Sequence, residues 1–228
     1  MQPLTAPYVA DTRPRARGWI HLIAFILTPV LAGVMISVAA FQSGQAALGA
    51  SIYCGSMLLM FGTSALYHRR QWTNRGWQIM RRLDHAMIFL FIAGTYTPFG
   101  LMALSGERRW WVLGLVWGIC LSGMAVKLLN PHGGRFLTVP LYLAAGWVAV
   151  FVLGDLAAGA GIGAMVLLVI GGGLYTLGAV FYATHWPNPS PGVFGYHEVF
   201  HLLTVLAALC QYIAVFPGLD FASPVRLL

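Results

Sequence analysis

The chain reads as an all-α membrane protein, a bundle of seven transmembrane helices with its N-terminus in the cytoplasm and its C-terminus outside. Three observations predict this. Hydrophobic residues make up 59% of the chain and charged residues only 8%; mean hydropathy is +0.76; and the apolar runs are long enough for seven crossings. At 228 residues, with about 20 apolar residues needed per crossing, the bundle takes up nearly the whole chain and leaves no sizeable soluble domain.

The crossings are expected at residues 18–41, 46–68, 83–104, 110–129, 136–153, 160–183 and 194–217. The first follows a basic stretch, but its apolar run exceeds the roughly 7 to 15 residues of a signal-peptide core, so it reads as a retained helix. Gln42 to Gln45 divide it from the second, and the Arg-rich stretch 69–82 separates the second from the third. Ser105 to Arg109 precede the fourth, and Asn130 to Gly134 precede the fifth, the shortest. Gly154-Asp155 marks the next break, and the Pro-rich run Trp186 to Gly192 the last. Residues 1–17 then form a short cytoplasmic segment, 18–217 the transmembrane domain and 218–228 a short tail. Gly114, Gly118 and the run Gly171 to Gly173 offer small surfaces for close helix packing. Cys54, Cys120 and Cys210 are odd in number, lie in apolar segments and lack ligand spacing, so they read as packing residues.

Charge orients the bundle, because Lys and Arg concentrate in cytoplasmic loops. Ten fall on the N-terminal side, from Arg13, Arg15 and Arg17 through the 69–82 stretch to Lys127 and Arg135, against three (Arg108, Arg109 and Arg226) on the other. The net charge of +7 is thus a topology signal with affinity for anionic lipid, and nucleic acid is excluded as a partner.

Polar residues buried in such a bundle usually face a cavity or one another. His197 and His201 open the last crossing four residues apart, which places both imidazoles on one helix face, where a metal can bridge them. The second crossing ends at the same cytoplasmic depth with Ser64 and His68 on a shared face. The third begins there, with Asp84 expected in its first turn. Three imidazoles and a water make a catalytic zinc site, and a neighbouring carboxylate can hold that water and take its proton. His68, His197 and His201 are therefore the candidate ligands for zinc, Asp84 the candidate water partner, and Ser64 a supporting donor or oxyanion partner. Asp84 as a direct fourth ligand would instead mean a closed, structural site. His85 is set about 100° around the helix from Asp84 and is expected to face elsewhere. His21, His132 and His185 have no partner pattern and read as interfacial.

Other readings compete at each position. The histidines could bond backbone carbonyls at a helix start, Asp84 could complement the helix dipole or pair with Arg81 or Arg82, and Ser64 could be a packing residue. The pair also spells His-Glu-x-x-His, which in a zincin supplies two ligands and a general base, Glu198. That motif sits beside a Pro-rich loop, and Asp84 already offers a carboxylate at suitable depth. The plain expectation for Glu198 is a first-turn acid facing headgroups or Arg69 and Arg70.

Three strings carry a resemblance: Gly62-Thr63-Ser64-Ala65-Leu66-Tyr67-His68; Leu83-Asp84-His85-Ala86 with Ala93-Gly94-Thr95-Tyr96-Thr97-Pro98; and Gly195-Tyr196-His197-Glu198-Val199-Phe200-His201. In this order they resemble the bacterial hemolysin III family, over essentially the whole chain. That family is similar to the progestin and adiponectin receptors and, more distantly, to alkaline ceramidases, seven-helix proteins thought to be metal-dependent hydrolases. The resemblance implies zinc held by His68, His197 and His201 near the cytoplasmic face of a cell membrane, with Asp84 on the bound water and Ser64 close by. Unlike the receptors, only about 17 residues precede the first crossing, which points away from hormone signalling. Two functions are then expected to compete: a zinc-dependent hydrolase of a lipid amide or ester, and a non-enzymatic membrane sensor or pore-forming cytolysin with structural zinc. Helices 4 to 6 are nearly devoid of polar residues, which disfavours a water-filled pore.

Overall fold

The computed structural model describes residues 14–129 and 135–216. Those residues form eight α-helices in seven membrane-length crossings. They are α1 (Trp19–Gln42), α2 (Gly44–Arg69), α3 (Asn74–Met102), α4 (Gly106–Leu129), α5 (Arg135–Trp147), α6 (Leu153–Ala160), α7 (Ile162–Thr184) and α8 (Tyr196–Val215). A 3-10 segment, Val148–Val152, joins α5 to α6, and together they make the fifth crossing. The protein is a multi-pass membrane protein. The expected tail 218–228, His132 and the turn 130–134 lie outside the described residues.

Neighbours in sequence pack as neighbours in space, with α8 returning to touch α1 and α3 and close the bundle. Outward faces stay apolar because lipid is their solvent: Ile26, Val30, Phe41 and Phe151 are exposed, while Tyr53, Phe89 and Met35 are fully buried. Hydroxyls inside the bundle find backbone partners. Tyr53 donates to the Ala208 carbonyl at 3.0 Å and Tyr212 to that of Leu31 at 2.9 Å, tying α8 to α2 and α1.

Helix ends depart from the hydropathy reading in an instructive way. Thr73 caps α3 by accepting from the Gly76 N–H at 3.2 Å, so the Arg-rich stretch is mostly helix. Asp84 consequently lies in the third turn of α3 rather than its first, out of reach of the helix's N-terminal dipole. Apolar runs mark the lipid slab, whereas a helix continues past it as long as its caps allow. The Gly154-Asp155 pair is likewise not a turn. Asp155 sits in the first turn of α6, bonded to Arg108 at 2.6 Å, and the chain reverses instead at Gly161, whose φ of 86° favours glycine. The helical ladder breaks earlier, at Val148–Val152, and Tyr96 covers the break: its hydroxyl accepts from the Ala149 N–H and donates to the Gly146 carbonyl, both at 2.7 Å.

The close helix approaches use other glycines than those expected. A Cβ at Gly114, Gly118, Gly172 or Gly173 would meet nothing within 4 Å, and only Gly171 of that set comes near a neighbour. A Cβ on Gly159 would stand 2.1 Å from the Ala103 carbonyl oxygen, and one on Gly94 2.0 Å from Ser56 Oγ. Gly159→Ala should therefore cost about 1–3 kcal/mol by overpacking, whereas Gly114→Ala should be neutral or gain about 0.5–1 kcal/mol of helix stability. Thermal unfolding in neutral detergent reads the difference; equal midpoints for the two variants would refute the assigned contact.

Candidate metal centre

The last turn of α2 and the first two turns of α8 meet at one end of the bundle, hereafter the histidine end. His68 Nε2 lies 3.3 Å from His197 Nε2, and one ring nitrogen from each of His68, His197 and His201 falls within 4.8 Å of the others. Zn–N bonds of about 2.0–2.1 Å in tetrahedral geometry separate adjacent nitrogens by about 3.3 Å. The His68–His197 edge already matches that spacing. Three neutral nitrogen donors suit zinc, and a three-residue set leaves a coordination position open. No other group of three or more His, Cys, Asp or Glu residues among the described ones is arranged to hold a metal.

Asp84 and Ser64 stand outside that donor set but share a cavity with two of its members, His197 and His201. The cavity is about 570 Å³ and is lined at this end by Ser64, Asp84, His197, His201 and His21. Ser64 and Asp84 line this cavity together. Asp84 does not pair with Arg81 or Arg82; its ionic neighbour is His85, 3.7 Å away. His85 does not face elsewhere as expected. It lines the cavity, with Nδ1–H donating to the Arg81 carbonyl at 2.7 Å, one turn back on α3. From Asp84 to Gly100, both cavity residues, α3 runs about 24 Å at about 1.5 Å per residue, so the cavity reaches deep into the membrane layer. Beyond the histidine end its walls are mostly apolar, among them Val112, Leu153 and Leu156, interspersed with uncharged polar residues such as Thr95, Thr176 and Gln211.

His21, read from sequence as interfacial, is buried beside the cluster. Its ring stacks on His201 at 3.9 Å and 4°, and neither ring nitrogen has a hydrogen-bond partner among the described residues. The sequence signal was available: α1 starts at the same end as α8, so the third residue of α1 lies at the depth of the other histidines. His185 does sit at the periphery, against Tyr196 at 4.4 Å.

Glu198 differs most from its expected role. Its fully buried carboxylate pairs with Arg17 and accepts from the Gly195 N–H at 2.8 Å. Arg69 and Arg70, its expected partners, stack on Trp19 and Trp72 instead. With both oxygens so engaged, Glu198 is not placed as a zincin base. The segment 14–18 that delivers Arg17 is a strap across this end. Arg15 and Ala16 N–H groups donate to the Gly192 and Val193 carbonyls at 3.1 and 3.0 Å. Gly18, at φ 79°, backs onto His68 so closely that a Cβ would approach the His68 Cβ to 2.7 Å.

A family model described as Haemolysin-III related matches residues 10–212. The chain belongs to this family. It is 32% identical over 168 residues to a protein named Hemolysin-3 homolog from Bacillus subtilis (strain 168), covering 73% of this chain and 78% of that one. It is 30% identical over 168 residues to Hemolysin-3 of Bacillus cereus, covering 73% and 76%. The haemolysin-III match spans the described strap, His21, the histidine trio and Asp84.

Breaking a buried ion pair by removing one partner costs about 3–5 kcal/mol. Glu198→Ala and Arg17→Ala should each lower the unfolding midpoint strongly, and the double variant should lose less than the sum of the two. A double-mutant cycle by thermal unfolding tests this, and additive losses would show that the two side chains act independently.

Proposed function

We propose that this haemolysin-III related protein is a zinc-dependent hydrolase of membrane lipids, cleaving an amide or ester bond at the histidine end, on the cytoplasmic side. The observation that carries the reading is the single cavity. It joins two of the three histidine donors, His197 and His201, a carboxylate and a hydroxyl at one end to a long, mostly apolar wall, the shape and polarity that an acyl chain with a scissile carbonyl needs. His68, His197 and His201 would hold the ion, which when bound supplies Lewis acidity toward water and a carbonyl oxygen.

The chain's own residues then have defined tasks. The Asp84 carboxylate accepts a proton from the attacking water as the water oxygen bonds to the carbonyl carbon. It returns that proton to the amine or alcohol as the C–N or C–O bond breaks. Ser64, which lines the same cavity, supports that carboxylate or donates to the developing oxyanion. The apolar walls hold the acyl chain and exclude bulk water. The competing reading, a cytolysin or sensor with structural zinc, draws on the names of the two Bacillus relatives. The far end of the cavity has no charged residue among its described lining residues, which speaks against an ion path.

Asp84→Asn should reduce turnover by about 10²–10⁴-fold, the usual contribution of a general base, while zinc content and fold persist. The assay is release of fatty acid from ceramides, lysolipids and acyl amides by purified protein in vesicles. Zinc-loaded wild type that cleaves none of this panel would overturn the hydrolase reading in favour of a structural metal.

A further inference from the structure

Arg81 and Lys127 line the large cavity beside Asp84 and His85. With Arg82, Trp77 and Gln78 they also line a cleft of about 40 Å³ that shares those walls. Arg81 and Arg82 belong to α3 and Lys127 to the last turn of α4, so two helices direct three cations to one place. The cleft has no carboxylate among its described lining residues, and the large cavity has only Asp84. Arg82 Nε is buried with no hydrogen-bond partner among the described residues while its Nη1 donates to the Leu128 carbonyl at 3.5 Å, and the Arg81 guanidinium is held 5.2 Å over the Trp77 ring. Like charges converge in this way only at a cost, which an anion offsets. A phosphate oxygen cluster matches forked guanidinium donors and a lysine point charge, and basic pockets between transmembrane helices suit phosphorylated headgroups.

We propose that Arg81, Arg82 and Lys127 form a phosphate subsite at the mouth of the cavity, so that the lipid held there is a phosphate-bearing one rather than a neutral ceramide or glyceride. This rests on the cavity being a lipid site, though not on turnover. With the phosphate at Arg81 and Lys127 and the acyl chain along α3, the bonds between them pass Asp84 and the histidine end.

Binding separates the subsite from the chemistry. Purified protein in a neutral detergent is titrated with palmitoyl lysophosphatidate and with monopalmitoylglycerol, which share a chain and differ in the phosphate. The phosphate lipid should bind at least about tenfold more tightly, and Arg81→Gln with Lys127→Gln should abolish that preference while leaving the neutral lipid's affinity unchanged. Arg70→Ala with Arg75→Ala removes equal charge from exposed rim positions that line neither cavity, and should keep it. Asp84→Asn should also keep it, so loss of hydrolysis and loss of the subsite are distinguishable. Inorganic phosphate as competitor tells the sources apart: it displaces the lipid if free phosphate suffices, and leaves it bound if the headgroup needs its chain. Equal affinities for the two lipids, or a preference that the rim variant abolishes as fully as the Arg81/Lys127 variant, would overturn the subsite.

Discussion

Glu198 carries a fully buried carboxylate into the junction of α8, the 190–195 loop and the strap, where it meets both Arg17 and the Gly195 N–H. The residue lies between His197 and His201, so whatever fixes it also fixes the register and start of the helix that supplies two donors. Arg17 in turn holds the strap, and the strap's Gly18 packs directly on His68, the donor from α2. A carboxylate buried without its partner would be costly, so these elements stand or fall together. The arrangement makes the histidine end rigid on its outer side while the cavity side remains open to a ligand.

The bilayer imposes the second constraint. Backbone groups freed within it must be satisfied by protein, and the break in the fifth crossing, at 148–152, is met by Tyr96 from α3. The break lies on the cavity wall, with Ala149 and Val152 among its lining residues. An irregular fifth crossing and a deep apolar cavity are thus two sides of one local geometry, supported by a tyrosine of the Gly-Thr-Tyr-Thr-Pro run. Polarity is graded along the cavity, charged and imidazole-lined at the histidine end and mostly apolar with uncharged polar residues beyond it, as an amphipathic ligand aligned with the lipids would require.

Hydropathy made the seven crossings legible because each must match the thickness of the hydrocarbon layer. His68, His197 and His201 lie together for the same reason, since residues at helix ends on one side share a plane. What hydropathy lacked was lateral position. His21 meets the same depth criterion, but its stacking on His201 depends on α1 lying next to α8. Asp84 was placed at the right depth in the wrong turn, because polar residues 74–82 continue the helix outside the apolar run under a Thr73 cap. Glu198 was misread because its partner, Arg17, is distant in sequence. The packing glycines other than Gly171 were misassigned because a small residue signals close approach only when a neighbour's backbone arrives, as Ala103 does at Gly159.

The account turns on three imidazoles converging on one ion. Zinc K-edge X-ray absorption of the purified wild-type protein tests this directly. It predicts one zinc per chain with three nitrogen neighbours at about 2.0–2.1 Å, imidazole scattering and no sulfur shell. A preparation that binds no stoichiometric zinc, or a spectrum with a sulfur shell near 2.3 Å, would contradict it.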